Sequence, residues 1–338
     1  MQEVRANPDL LSFVIPVYNE QEVLPLLYSR LCEIADKLPC PVEWVFVNDG
    51  SSDRSWSILA ELAAKDTRVK VVDLTRNFGH QAALTAGLDY ARGEAVVVID
   101  ADLQDPPELV FDMLERYREG YDIVYAQRVK RHGESWFKLI TAELFYKIMK
   151  RYIHKDLPVN TGDFRLLSRA VVNAFAEMRE YHRFLRGMSA WMGYKQIGVS
   201  FERQPRAAGH TKYTVRKMFR FAWDAILSFS TLPLRVSIYF GLGVIVFGML
   251  YSIYAVARYF IYHDLVQGWA SLVVLQCVIG GTILVCLGMI GEYIGRIYEE
   301  IKYRPLYMVY RTLNTSLMSV PPRSVIPETR RRNRGTRD

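Results

Sequence analysis

The sequence of 338 residues contains only four cysteines, and no two of them have CxxC spacing. Two of the four, Cys277 and Cys286, fall inside one apolar stretch. This pattern argues against a disulfide framework and against a zinc site, and it fits a reducing compartment. The first ten residues are polar and short of apolar side chains, so no secretory signal is expected. No internal repeat is present either, so the chain is not a repeat protein.

Charged residues are missing from two long apolar stretches, residues 236–257 and 265–291. Each stretch is long enough to cross a hydrocarbon layer ~30 Å thick, which takes about 20 helical residues. A buried core helix is the alternative, but such length without a charge argues against it. The short polar link at residues 258–264 therefore predicts a hairpin of two transmembrane helices with both ends on one side.

Basic residues flank this predicted hairpin on its outer sides, whereas the link contains Arg258 alone. Those before the first stretch are Arg216, Lys217, Arg220 and Arg235, and those after the second are Arg296, Lys302, Arg304 and Arg311. Because cytoplasmic loops carry the excess of Lys and Arg, both ends of the hairpin are predicted to be cytoplasmic.

Two further segments, residues 134–153 and 213–232, mix aromatic, aliphatic and basic side chains at helical spacing. Each is predicted to be either a core helix or a helix lying in the membrane interface. The interfacial interpretation is favoured for the second segment, because it runs directly into the first apolar stretch. The end of the chain, RRRNRGTRD, is predicted to be disordered, either solvated or attracted to anionic lipid.

Upstream of the hairpin, short β-favouring runs alternate with helical segments. The runs are LSFVIPV, EWVFVND, VKVVDLT and AVVVID, and the segments between them are long enough for helices. This alternation predicts an α/β fold with a mostly parallel, doubly wound sheet. Ligands of such sheets bind at the carboxyl ends of the strands. Polar clusters follow the four runs at residues 18–20, 48–50, 77–80 and 100–105, so the site is predicted at that edge.

The cluster at the end of AVVVID contains three carboxylates, Asp100, Asp102 and Asp105. A D-x-D pair after a strand places two carboxylates within reach of one hard cation, Mg²⁺ or Mn²⁺, and the Gln104 carbonyl adds a third oxygen. Asp105 precedes two prolines and an amphipathic stretch, so it is predicted to be a helix N-cap.

Four motifs, VIPVYNE, VNDGSSD, RNFGHQAAL and DADLQDPPE, resemble those of family 2 glycosyltransferases with the GT-A fold. Three more, GDFRLLSR, RFLRGMSAWMGY and RQPRAAGHTKYT, resemble the polyprenyl-phosphate branch, which includes dolichyl-phosphate mannose synthase and bacterial undecaprenyl-phosphate glucosyltransferases. The resemblance covers roughly residues 10–312. The chain departs from the family in one place, where Asn48 replaces the usual first aspartate of Asp-Asp-Gly.

The resemblance implies four regions: a cytoplasmic GT-A domain (1–212), a juxtamembrane amphipathic helix (213–234), two transmembrane helices (235–292) and a basic cytoplasmic tail (293–338). It also implies roles at the donor site. The predicted nucleotide-sugar-binding residues are Pro16, Tyr18, Glu20, Val47, Asp49, Asp100 and Ala101, with Asp49 contacting the base. Tyr18 as a core aromatic and Glu20 as a helix N-terminal carboxylate are the structural alternatives. The predicted ligands of Mg²⁺ or Mn²⁺ are Asp100, Asp102 and Gln104.

A lipid monophosphate needs no base to become a nucleophile, because its second pKa is near 6 and it is largely dianionic at neutral pH. The protein must instead hold two anions together, which calls for arginine and lysine. The predicted phosphate-binding residues are Arg128, Arg131, Arg203, Arg206 and Lys212. The resemblance implies that Asp163, in NTGDFRLL, faces the reacting sugar, where it would either act as a base or orient Arg165 or the acceptor, with the orienting role slightly favoured. The resemblance thus implies a catalytic set of Asp163, Asp102 and Arg128. His80 and His210 are expected to make ordinary hydrogen bonds rather than bind metal.

The function expected from the resemblance is inverting transfer of a sugar, glucose from UDP-glucose being favoured, to polyprenyl phosphate. Mannosyl, N-acetylglucosaminyl or aminoarabinosyl transfer to that lipid is the alternative. A processive polysaccharide synthase and a non-catalytic membrane scaffold are weaker, because Q-x-x-R-W is absent and the D-x-D is intact. The predicted partners include membrane lipids and no nucleic acid, and the GxxxG spacing of Gly291 and Gly295 is compatible with a homo-oligomer.

Overall fold

The computed structural model describes residues 5–128, 161–201, 232–262 and 268–315. The chain divides into two units. The first contains Met1–Tyr213 together with Tyr303–Asp338, and the second contains Thr214–Lys302. The predicted segment 134–153, residues 213–231 of the predicted segment 213–232, and the end of the chain lie outside the described residues, as do Arg131, Arg203, Arg206, His210 and Lys212.

The first unit is built on an eight-stranded sheet in the order β7-β5-β6-β4-β1-β2-β3-β8. The strands are β1 (Leu11–Val17), β2 (Val42–Asn48), β3 (Val69–Leu74), β4 (Ala95–Val98), β5 (Ile123–Arg128), β6 (Thr161–Ser168), β7 (Gln196–Phe201) and β8 (Val309–Leu313). Strands β1 to β4 are parallel, and β6 and β8 run antiparallel to their neighbours. The predicted α/β fold with a mostly parallel sheet is confirmed.

Helices cover the sheet, which explains why every residue of β1 and β2 is buried. The helices of this unit are α1 (Leu24–Ala35), α2 (Ser55–Lys65), α3 (His80–Tyr90), α4 (Val110–Arg118), α5 (Arg169–Glu177) and α6 (Leu185–Trp191). Central parallel strands are apolar nearly throughout because both of their faces are covered. Glu43 is the buried charged residue of these two strands, and it accepts hydrogen bonds from Ser12 Oγ and the Arg92 amide, both at 2.6 Å.

Strand β8 follows the second apolar helix along the chain and returns to the first unit. It pairs antiparallel with β3, and Arg311 Nε donates to Asp73 Oδ2 at 2.8 Å. The Arg311 guanidinium also lies 3.5 Å from the centre of the Trp56 ring. Residues 293–338 were predicted as a tail, and this strand lies within them. The pairing depends on residues more than 200 positions apart in the chain, which local patterns do not reveal.

Asn48, at the end of β2, forms a hydrogen bond with Asp73 of β3, which also pairs with Arg311 of β8. Its Nδ2 donates to Asp73 Oδ1 at 2.7 Å, and both side chains are buried. An ionised aspartate at position 48 has no proton to donate and would repel Asp73. The amide therefore suits this position, which accounts for the departure from Asp-Asp-Gly.

We expect the Asn48→Asp variant to be less stable than the wild type by about 2 kcal/mol, because a buried hydrogen bond becomes a like-charge contact. The matched control is the double variant Asn48→Asp with Asp73→Asn, which exchanges donor and acceptor and should recover most of the loss. Thermal unfolding measures both. Equal losses in the single and double variants would contradict the assignment.

The second unit contains two long helices, α7 (Leu232–Tyr262) and α8 (Trp269–Ile301). Their membrane-span candidates are Val236–Arg258 and Val278–Ile301, and no part of either window is buried. Large side chains such as Phe260 and Leu284 are about 70% exposed. The alternative of a buried core helix is therefore wrong for both. The prediction of two helices able to cross a membrane is confirmed, and α8 continues beyond the predicted boundary at 292.

Candidate active site

The polar clusters that follow the strands meet at one edge of the sheet. The parallel pairing of β1 with β2 places Val17 beside Asn48, and beyond it the Asn19 amide donates to Ser51 Oγ at 3.0 Å. The antiparallel pairing of β4 with β6 places Val98 beside Arg165. Asp100 lies two residues beyond the end of β4, and His80 Nε2 lies 3.6 Å from Asp100 Oδ1 and 3.0 Å from Asp163 Oδ2. Residues that follow several strands thus lie together at this edge of the sheet.

Asp49 orders the turn that precedes α3. Its carboxylate is buried and accepts hydrogen bonds from the backbone amides of Phe78 at 2.7 Å and Gly79 at 3.0 Å. Burial raises the pKa of this carboxyl group, against the lowering effect of the two amides. Its predicted contact with the nucleotide base stays a prediction, and the structure adds a supporting role for the turn.

The other predicted donor-site residues take different positions at this edge. Tyr18 is 44% exposed, so the alternative of a core aromatic is wrong for it. The backbone amide of Glu20 donates to Ser55 Oγ at 3.0 Å, near the start of α2. Val47 and Ala101 are buried, and Pro16 lies within the buried strand β1. Tyr18 is therefore the member of this set best placed to meet a ligand from solvent.

Gly50 lies just after β2, and its backbone packs closely against the backbone at Arg76. It has a φ of +64°, and a Cβ there would lie 2.5 Å from backbone atoms of both Arg76 and Asn77. We expect Gly50→Ala to cost about 3 kcal/mol, since it combines a left-handed backbone with a clash that no side-chain rotation relieves. Gly193→Ala is the matched control, because Gly193 has a φ of +74° with nothing within 4 Å of a Cβ. Equal losses of thermal stability in both variants would contradict the clash.

The D-x-D loop follows β4 and contains the predicted metal ligands. Asp100 Oδ1 is buried and meets no hydrogen-bond partner among the residues that the structure describes. Asp102 Oδ1 accepts from the Gln104 amide at 3.1 Å, and Gln104 is buried. Between them Leu103 has a φ of +55°, an uncommon conformation for leucine that reverses the loop. Burial, with the nearby carboxylates, raises the pKa of Asp100 to about 6.

Within the described ranges, no group of three or more His, Cys, Asp and Glu side chains is arranged to hold a metal ion. Two carboxylates and one amide oxygen nevertheless fit Mg²⁺ or Mn²⁺, since Mg²⁺ is commonly held by one or two carboxylates while waters and substrate phosphates supply the rest. The observation that supports this fit is that the buried Asp100 Oδ1 accepts no hydrogen bond from the described residues.

Asp105 does not cap a helix, so that prediction is wrong. The short 3₁₀ turn Pro107–Leu109 has Pro106 at its N-cap position and no side-chain cap. Asp105 is instead buried and forms an ion pair with Arg128, whose Nη2 lies 3.2 Å from Oδ2. A buried carboxylate needs a charged partner, and Arg128 at the end of β5 supplies it.

Asp163 on β6 is held by two cations. Arg186 donates to both of its oxygens, at 2.8 and 3.2 Å, and His80 Nε2 lies 3.0 Å from Oδ2. Burial raises the pKa of Asp163, but Arg186 and His80 outweigh it and hold this pKa well below its usual range. A carboxylate this acidic is a weak base, so the geometry favours the orienting role. Arg165 contacts the backbone oxygen of Asp163, not its carboxylate.

Arg186 is the site residue that sequence reasoning missed. It lies on α6, and its Nη1 also donates to the Thr161 carbonyl at 3.0 Å. The signal available was a single arginine inside the otherwise uncharged run LRGMSAWMG. His80 makes a hydrogen bond as expected, and its Nε2 also lies 3.6 Å from Asp100 Oδ1.

The pKa of His80 is raised from 6.5 to about 9, because Asp163 and Asp100 outweigh the effect of burial. The folded protein therefore keeps a proton that the unfolded chain loses. We expect this contribution to stability to be fully present below pH 6.5 and lost as the pH rises through about 9. Thermal unfolding of the metal-free full-length protein across this window measures it, and His80→Gln should flatten the profile. An equal loss of stability with rising pH in the wild type and in His80→Gln would contradict the contribution of the His80 ion pairs.

Comparison with known proteins gives consistent matches. The glycosyl transferase family 2 profile matches residues 12–175. A Bacillus subtilis glycosyltransferase, YkcC, is 48% identical over 301 residues, covering 89% of this chain and 93% of its own. A bactoprenol glucosyl transferase of Shigella flexneri, derived from prophage SfII, is 41% identical over 302 residues, covering 89% and 98% respectively. The crystal structure of mannosyl-3-phosphoglycerate synthase from Rubrobacter xylanophilus covers 64% of this chain and 71% of its own, at 18% identity and a TM-score of 0.49, too low to carry an inference.

Proposed function

This chain belongs to glycosyl transferase family 2, and on that premise we propose that it transfers glucose from UDP-glucose to polyprenyl phosphate at a membrane surface. The observation that carries the proposal is the juxtaposition of the D-x-D carboxylates with the buried Asp163–Arg186 pair at the strand ends. The sugar and the lipid are inferred from relatives whose names specify bactoprenol, a polyprenyl lipid, and glucose.

The donor is proposed to lie along the ends of β1, β2 and β4, between Tyr18, Asp49 and the D-x-D loop. Asp100, Asp102 and Gln104 would hold Mg²⁺ or Mn²⁺, which supplies positive charge to the diphosphate leaving group when bound. Asp163, kept ionised by Arg186 and His80, would orient the transferred sugar through its hydroxyl groups. It would also place negative charge near a reaction centre that becomes cationic.

The acceptor phosphate is proposed to attack the anomeric carbon directly, since its dianion needs no base. The new bond forms between a phosphate oxygen and that carbon, while the bond to the nucleoside diphosphate breaks with its electron pair. One in-line displacement inverts the configuration. Arg128 would contact the lipid phosphate, and Arg131, Arg203, Arg206 and Lys212 are proposed to assist it.

The pairing of β8 with β3 supports a hairpin formed by the two long helices. Strands that precede and follow the two long helices belong to the same sheet, since β8 pairs with β3. If both helices cross the bilayer, the chain must cross twice and re-emerge on its starting side. We therefore propose an integral membrane protein with its catalytic unit and both flanks of the hairpin cytoplasmic, in agreement with the distribution of basic residues.

A donor panel tests the proposal. Purified full-length protein is incubated with undecaprenyl phosphate, Mg²⁺ or Mn²⁺, and each of the radiolabelled donors UDP-glucose, UDP-N-acetylglucosamine, UDP-aminoarabinose and GDP-mannose. We expect lipid-extractable label from UDP-glucose. Label from another donor alone would replace glucose in the proposal, and label from none would reject lipid glycosylation.

A further inference from the structure

We propose that Asp105 is a positioning residue for the acceptor phosphate, because it holds the Arg128 guanidinium at the end of β5. The inference rests on the proposed function, in which Arg128 contacts that phosphate. The residues concerned are the third carboxylate of DADLQD and the last residue of β5, which are 23 positions apart in the chain.

The ion pair uses one end of the guanidinium. Arg128 Nη2 lies 3.3 Å from Asp105 Oδ1 and 3.2 Å from Oδ2, so one nitrogen bridges both oxygens. The side chain of Asp105 is 3% exposed and that of Arg128 is 19% exposed. This is an oriented, mostly buried contact, unlike an exposed surface pair, which fixes little.

Arg128 retains unused donor capacity on another atom. Its Nε is buried and meets no acceptor within the described part of the chain. A buried donor without an acceptor is costly, and arginine presents its N–H groups in a planar fork suited to phosphate oxygens. A phosphate anion supplies the acceptor that is missing at Nε, while Asp105 holds the neighbouring Nη2 in place.

Gly162 has no side chain, so the Asp105–Arg128 ion pair can lie close to β6. A Cβ at Gly162 would lie 2.9 Å from Arg128 Nη2 and 3.2 Å from Asp105 Oδ2. The next residue is Asp163, which is paired with Arg186. The first ion pair thus lies beside the second, so Asp105 fixes Arg128 relative to the carboxylate proposed to face the sugar.

The charge balance agrees with this role. Asp105 lies near Asp100 and adds its repulsion there. Arg128 offsets the Asp105 charge, which leaves Asp100 and Asp102 as the carboxylates available to a cation. Asp105 therefore acts with Arg128, which is proposed to contact the acceptor phosphate, although in the sequence it lies next to the predicted metal ligands.

Steady-state kinetics of the full-length protein test the inference. Asp105→Asn removes the charge but keeps the shape, and we expect the KM for undecaprenyl phosphate to rise about tenfold, as for loss of one charge-assisted contact. The KM for UDP-glucose and the metal requirement should change less than about twofold. Asp112→Asn, an exposed carboxylate on α4, is the charge-matched control and should change neither constant.

A double-variant cycle separates positioning from a structural role. Arg128→Gln alone should raise the lipid KM, and adding Asp105→Asn should raise it no further, because Asp105 acts through Arg128. Additive losses, or an equal change in the donor KM, would overturn the inference. Should Asp105→Asn fail to fold, Asp105→Glu decides, since it keeps the charge but moves the carboxylate that holds Arg128, and it should raise the lipid KM alone.

The cycle also distinguishes this inference from the function beneath it. If Arg128→Gln raises the lipid KM and Asp105→Asn does not, the positioning role falls and the proposed role of Arg128 stands. If Arg128→Gln leaves the lipid KM unchanged, both fall.

Discussion

The Asp163→Asn variant should transfer glucose about 100-fold to 1,000-fold more slowly than the wild type, because the oriented charge beside the sugar is lost. The pH dependence of the remaining rate should keep its shape. Asp163 is held ionised by Arg186 and His80, so it does not titrate near neutral pH. The acid limb should instead follow the lipid phosphate, whose second pKa is about 6.

Rates measured across pH with saturating donor and lipid test this expectation, and retained UDP-glucose binding shows that the variant is folded. Asp112→Asn is the matched control, because it removes one exposed carboxylate that has no proposed role in the reaction. Loss of the acid limb in Asp163→Asn would show that this limb belongs to Asp163, and the base role would then replace the orienting one.

The Asp100→Asn variant should lose about 1,000-fold or more in rate and require far more Mg²⁺ or Mn²⁺. Asp100 supplies the buried carboxylate oxygen that has no hydrogen-bond partner in the described residues, and an amide oxygen is a much weaker ligand. Chelation of the metal should silence the wild type to a similar degree. Metal titrations of initial rate measure both effects, and wild-type activity that survives chelation would contradict the assignment.

The fold was predictable because its signals are local. Apolar runs such as LSFVIPV form buried parallel strands, and the uncharged stretch before Arg258 forms a helix long enough for a membrane. The edge of the sheet at which the site lies was predictable from the same pattern, because polar residues follow each apolar run. These predictions needed only periodicity and composition.

The pairings within the site were not predictable in this way. Asp105 has the local environment of an N-cap, and only the position of β5 gives it Arg128 as a partner. Asp163 and Arg186 are 23 residues apart on different elements, and Asp73 and Arg311 are separated by 238. Such contacts depend on how distant elements pack, and a buried charge takes whichever opposite charge the fold brings to it.

In the proposed reaction a lipid phosphate, and not a hydroxyl group activated by a base, attacks the sugar. The most direct measurement compares undecaprenyl phosphate with undecaprenol as acceptors for UDP-glucose, using the purified full-length protein with Mg²⁺ or Mn²⁺. We predict glucosylated lipid from the phosphate and none from the alcohol. Equal product from undecaprenol, or no product from undecaprenyl phosphate, would contradict the account.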